Sequence, residues 1–139
     1  MSGNKSGRIT GLGGVFVKCK NRDDLVKWYR DDLGLSYDGY GINFLFREHH
    51  EPDREGYNVW GPFKEDTDYF KPSDKDFMLN LRVENLEGFL KTLKEKGIEQ
   101  IGEMVVEEYG KFAWIVDPEG TKIELWEQIG PVPEIPTET

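Results

Sequence analysis

A strand, a helix and a run of short strands occur twice in this chain, and the duplication constrains the fold more than any other feature. Lys18-Cys19-Lys20-Asn21 aligns with Arg82-Val83-Glu84-Asn85, an offset of 64 carried by pattern more than by identity. In the first copy Ile9–Cys19 reads as a strand, with Val15, Val17 and Cys19 alternating against Gly14, Phe16 and Lys18. Asn21 or Asp23 caps a helix with the apolar stripe Leu25, Trp28, Tyr29 and Leu33, and Gly34 ends it. Short strands are then expected at Ser36–Tyr40, Ile42–Glu48 and Gly56–Trp60. The second copy restarts with a strand at Phe77–Val83, where Leu79, Leu81 and Val83 share a face. Asn85 caps a helix with the stripe Leu86, Phe89, Leu90 and Leu93, and Gly97 stops it. Strands follow at Gln100–Glu108, Lys111–Val116 and Thr121–Glu127, the last two joined by the turn Asp117-Pro118-Glu119-Gly120.

One βαβββ unit is too small to bury both faces of its sheet, so two must pair. The expected fold is α+β: two βαβββ modules form a curved mixed sheet, with helices behind it and a concave cup in front. Module one spans 9–64 and module two 76–128, within a single domain over 9–128. Residues 1–8 are polar and read as a tail, as do the proline-rich 129–139. Two linkers interrupt the pattern. Arg47–Gly56 carries His49 and His50, and Pro62–Asp76 carries Tyr69 and Phe70. The second is long for a structureless connection, which suits a lid over the cup or a plain crossover between modules.

Composition removes several function classes. Hydrophobic residues at 37% and aromatics at 13% supply a packed core. The net charge of −9 disfavours nucleic acid and anionic membranes, which need clustered Lys and Arg, and suits a neutral or cationic small ligand. No apolar run reaches membrane-spanning length, and the polar start does not read as a signal peptide. Cys19 is the sole cysteine, so no internal disulfide forms and a cytoplasmic location is expected.

Gly11–Cys19 followed by Asp23–Gly34 resembles the opening strand and helix of the vicinal oxygen chelate superfamily, which includes the glyoxalases, bleomycin-resistance proteins and dioxygenases. Trp114–Glu127, WIVDPEGTKIELWE, looks like that superfamily's closing hairpin. Val59-Trp60-Gly61-Pro62-Phe63 with Asp66-Thr67-Asp68-Tyr69-Phe70 resembles a small bacterial subgroup without assigned function. The likeness runs from Ile9 to Gln128. It implies a homodimer and a cup with four equivalent metal-ligand positions, in the first and last strand of each module.

Carried over residue by residue, the ligand set is incomplete. Glu124 matches the superfamily's carboxylate, while the other three positions fall on Gly14, Trp60 and Met78. Glycine has no donor atom, indole offers only an N–H, and a thioether is soft. A divalent metal is therefore disfavoured and no cofactor is expected. Strand alternation then puts Phe16, Trp60, Met78, Asn80, Trp114, Glu124 and Trp126 around an apolar pocket. Glu124 is the one candidate catalytic residue, as a general base or as the counter-charge for a cation; the plainer alternative pairs it with Arg82 or Lys18. His49, His50, Tyr69 and Phe70 are the candidate lid residues. The expected function is a glyoxalase-like protein binding a small aromatic or cationic molecule, with lyase or isomerase activity. The alternative is a non-catalytic, drug-sequestering protein of the bleomycin-resistance type.

Overall fold

The structure is a computed structural model that describes residues 6–134. Its element order is β1 (Arg8–Cys19), α1 (Arg22–Asp31), β2 (Ile42–Arg47), β3 (Glu55–Lys64), β4 (Phe77–Glu84), α2 (Leu86–Glu95), β5 (Val105–Glu107), β6 (Gly110–Val116) and β7 (Lys122–Gln128). The strands form one mixed sheet in the order β2-β3-β1-β4-β7-β6-β5. The duplication is visible in the pairing. In each half the first strand pairs in parallel with the last, β1 with β3 and β4 with β7. The halves join through the antiparallel pair β1·β4.

Both helices start where side-chain caps allow. Asn21 accepts a hydrogen bond from Asp24 N at 3.0 Å, and Asn85 accepts one from Gly88 N at 3.1 Å. The stripe of α2 is buried as its spacing requires, with Leu86 and Leu93 packed on Val83, Ala113 and Leu125. The stripe of α1 is rotated from the expected one. Val26 is its buried residue, while Trp28 and Leu33 are about half exposed. Leu25 and Tyr29 are half-buried as expected, and Val26 joins them in place of Trp28 and of Leu33, which lies past the helix end.

The second strand of each module is the weak one. Ser36–Tyr40 makes a single bridge, Tyr37 to Ile42, in place of a strand. Asp38 accepts hydrogen bonds from Tyr40 N and Gly41 N, and Gly39 takes a φ of 99°, so the segment closes as a turn. Gln100–Glu108 shrinks to the three residues of β5, because Gly102 bends the chain at a φ of 70°. The Asp117–Gly120 turn forms as expected, with Asp117 Oδ1 accepting from Glu119 N and Thr121 N.

Of the two tails, residues 1–5 and 135–139 lie outside the described residues. Arg8 belongs to β1 rather than to a tail and pairs with Glu84. Gly130 turns the chain back, and Pro133 reaches the wall of the cup. No described helix is long and apolar enough to cross a membrane.

Candidate functional site

The side of the sheet away from the helices holds a cavity of about 1160 Å³, walled by residues of both modules. Asn80 on β4 and Glu124 on β7 are cross-strand partners and point into it together. Glu124 is only 4% exposed, and both of its carboxylate oxygens accept hydrogen bonds. Its Oε1 accepts from Asn80 Nδ2 at 2.7 Å. Its Oε2 accepts from Trp114 Nε1 at 3.0 Å and from the Tyr69 hydroxyl. A carboxylate has about four acceptor directions, so three are occupied. It pairs with neither Arg82 nor Lys18. Arg82 donates to Tyr57 O and Gln128 Oε1 and lies over the Trp126 ring, while Lys18 lies over Phe70.

The amide of Asn80 is held by this bond. Turned the other way, its oxygen would face the carboxylate. As placed, Oδ1 lies against Gly13, where an added Cβ would come within 1.9 Å, and it has no hydrogen-bond partner among the described residues. Leaving a buried acceptor unpaired costs about 1–3 kcal/mol. Donation to Glu124 is what that cost secures.

A buried cation that feels the charge of this carboxylate is one the alternation reading put on the same face without making it a site residue. Lys122, two positions before Glu124, is buried and donates to Tyr69 O at 2.6 Å. Its ammonium sits 5.2 Å from the Tyr69 ring centroid and 5.8 Å from that of Trp114. Burial pushes its pKa down, and the Glu124 charge opposes that.

Tyr69 rides on residues 65–76, the strap between β3 and β4. Burial, then the Glu124 charge and the hydrogen bond to it, push its phenol far above the usual tyrosine range. Because the folded-state pKa is raised, the phenol's contribution to stability is complete below about pH 10, where a free phenol titrates, and is lost as pH climbs beyond that. We expect wild type minus Tyr69→Phe to show no tyrosinate absorbance up to about pH 11. Half-ionisation at about pH 10, the behaviour of a free phenol, would contradict the bond to Glu124 described here.

Of the remaining sequence-predicted residues, Phe16, Trp114 and Trp126 line the cavity. Trp126 stacks parallel to Phe112 at 6.1 Å and donates to Tyr109 O. Trp60 does not line it, which corrects the sequence reading. Its ring stacks on Tyr29 of α1 at 4.0 Å, and Tyr57, Val59 and Phe63 take the cup side of β3. The cause is a slip in the repeat. Asn80 pairs with Glu124, whereas Phe16 pairs with Gly61, so the offset of 64 in the first strands becomes 63 in the last. A one-residue slip turns every side chain to the opposite face. The module-one counterpart of Glu124 is thus Gly61. Met78 is also corrected: it is wholly buried and does not line the cavity, as a thioether filling a core gap.

The lid candidates divide. Tyr69 lies on the cavity. Phe70 is 0% exposed, packed edge-on against Phe63, and belongs to the core. His49 and His50 do not reach the cavity. They contact each other at 4.7 Å in a turn closed by Glu48 N donating to Arg54 O, and His49 borders a separate hollow of about 290 Å³. Cavity residues the sequence reading passed over include Tyr40, Tyr57, Phe63, Tyr109 and Phe112. Period two on β3 and β6 was the signal that could have found Tyr57, Phe63 and Phe112.

Four acids line the cavity, Asp38, Asp66, Glu107 and Glu124, against the bases Arg22 and Lys64. Arg22 is already engaged with Pro62 O and the Tyr37 hydroxyl. Burial pushes the Asp38 carboxyl upward, but bonds from Gly41 N, Tyr40 N and Asn43 hold it below the usual range. The cup therefore presents net negative charge between aromatic walls. At the four expected metal-ligand positions, now Gly14, Gly61, Met78 and Glu124, only Glu124 offers a hard donor. Among the described residues no group of three or more His, Cys, Asp or Glu is placed to share a metal.

No family sequence profile matches the chain, and no curated protein matches it. Solved structures do. A variant of Streptomyces coelicolor methylmalonyl-CoA epimerase, bound to 2-nitronate-propionyl-CoA, is similar at a TM-score of 0.67 and 11% identity, over 88% of this chain and 100% of that one. Methylmalonyl-CoA epimerase from Mycobacterium tuberculosis is similar at 0.54 and 23%, over 88% and 90%. A glyoxalase/bleomycin resistance protein/dioxygenase superfamily member from Vibrio splendidus is similar at 0.55 and 12%, over 84% and 99%. At these identities the likeness is one of fold.

Proposed function

We propose that this chain, which has the vicinal oxygen chelate fold, serves as a binding cup for a flat, positively charged aromatic molecule and holds no divalent metal there. The observation carrying this reading is the environment of Glu124. Its neighbours are N–H and O–H donors, where a metal centre would need further oxygen, nitrogen or sulfur ligands. Aromatic walls and excess acid suit a ring that carries positive charge. The non-catalytic reading fits better than lyase or isomerase chemistry, because three of the carboxylate's roughly four acceptor directions are already occupied by the protein's own donors. Two observations favour the enzymatic reading: two of the similar folds above are epimerases, and Oε1 keeps an open acceptor direction.

The test is calorimetric titration with benzamidine, a planar cation, beside acetophenone, a flat molecule with no N–H. Wild type is expected to bind benzamidine saturably. Glu124→Gln, checked for folding by circular dichroism, is expected to weaken it about tenfold or more, the loss of a charge-assisted contact. Equal benzamidine affinity in the two proteins overturns the counter-charge role. Stoichiometric uptake of nickel, zinc or manganese by purified protein overturns the metal-free cup.

A further inference from the structure

Three donors meet Glu124, and they are not equally fixed. Asn80 and Trp114 sit on β4 and β6, within the sheet, and Asn80 is 2% exposed. Tyr69 lies outside any strand and keeps 38% of its surface exposed. Its backbone is nonetheless pinned at its own carbonyl and on the C-terminal side. Lys122 Nζ holds its carbonyl, Phe70 beside it is wholly buried, and Lys75 Nζ ties the strap to Thr121 Oγ1 at 2.9 Å. The main chain is anchored, so the phenol can leave only by side-chain rotation.

We propose that Tyr69 is an exchangeable donor: a ligand's own N–H replaces the Tyr69 hydroxyl on Glu124 Oε2, and this exchange selects flat aromatic molecules bearing an amidine or amine donor. The inference rests on the binding-cup reading above and names the ligand class and the residue that screens for it. An aromatic without a donor cannot exchange, because displacing the phenol would take one hydrogen bond from a buried carboxylate and leave Oε2 with Trp114 alone. A donor-bearing ring restores the bond it breaks. It enters beside Phe63, whose ring lies parallel to that of Tyr69 at 5.4 Å, so a flat face already borders the place it would take. The phenol stays protonated through neutral pH, so it remains a donor and the exchange is of one hydrogen bond for another.

Removing the competing hydroxyl should therefore favour the ligand. Tyr69→Phe keeps the ring wall and the strap anchors. It is expected to bind benzamidine about tenfold tighter than wild type, the worth of one hydrogen bond to a charged group, and to bind acetophenone unchanged. Tryptophan fluorescence, with Trp114 and Trp126 on the cavity wall, reports occupancy independently of heat. Weaker benzamidine binding in Tyr69→Phe overturns the exchange, because the hydroxyl would then be a ligand contact. An equal change for both probes also overturns it, because Tyr69 would act only as a wall. Binding of neither probe by either protein overturns the cup reading itself, and the exchange with it.

Discussion

Glu124→Leu is expected to cost about 3–5 kcal/mol of folding free energy, although it replaces a buried charge with an apolar side chain of similar size. The carboxylate is the acceptor for Asn80 Nδ2 and Trp114 Nε1, and both donors would be left without a partner. Each buried orphan costs about 1–3 kcal/mol. The phenol of Tyr69 costs less, since that residue is 38% exposed and can turn to water. Lys122 loses the charge that offsets its burial. Urea unfolding followed by tryptophan fluorescence measures the sum. Tyr69→Phe, which removes one donor and leaves the acceptor, should cost about 1 kcal/mol by the same method. A Glu124→Leu protein within about 1 kcal/mol of wild type would show that the carboxylate is not the hub of a buried network.

Gly14→Ala is expected to destabilise by about 3 kcal/mol or more, a larger loss than one methyl group ordinarily causes. Its Cβ would lie 2.3 Å from Val59 O and 3.2 Å from Val59 N and C. These are backbone atoms of the neighbouring strand, and no rotamer change relieves them. β1 is flanked on its other side by β4, so it cannot back away without loosening the joint between the halves. Gly11→Ala is the control. A Cβ there meets nothing within 4 Å, and the change should fall within about 0.5 kcal/mol of wild type. Equal melting temperatures for the two variants would contradict the close approach of β1 and β3.

What the sequence revealed follows from what is periodic in it. Leu81, Val83, Ile123 and Leu125 alternate with Asn80, Arg82, Glu124 and Trp126, and both faces were legible from that alone. The α2 stripe and the Asp117–Gly120 turn were legible for the same local reasons. The α1 stripe was misjudged because the apolar Trp28 lies on the exposed side of a short helix and Leu33 falls beyond its end at Asp31. Trp60 was misplaced because its position was inferred by constant offset, and the chain is a residue longer between Phe16 and Gly61 than between Asn80 and Glu124. No local pattern marks that slip. Tyr69 stood out as a strap residue, but its bond to Glu124 joins positions 55 apart and leaves no trace in spacing. His49 and His50 suggested chemistry by residue type, and their tight turn keeps them at a separate hollow.

The extra residue in the first module has a bearing on redesign. An engineer wishing to install a chelating centre by symmetry would choose Trp60 as the mate of Glu124, and the new ligand would emerge against the helix. The right address is Gly61, but a side chain there would run into the Phe16 ring at 2.5 Å. Two neighbouring positions must change together before the first half of this sheet can offer a cation what the second half already does.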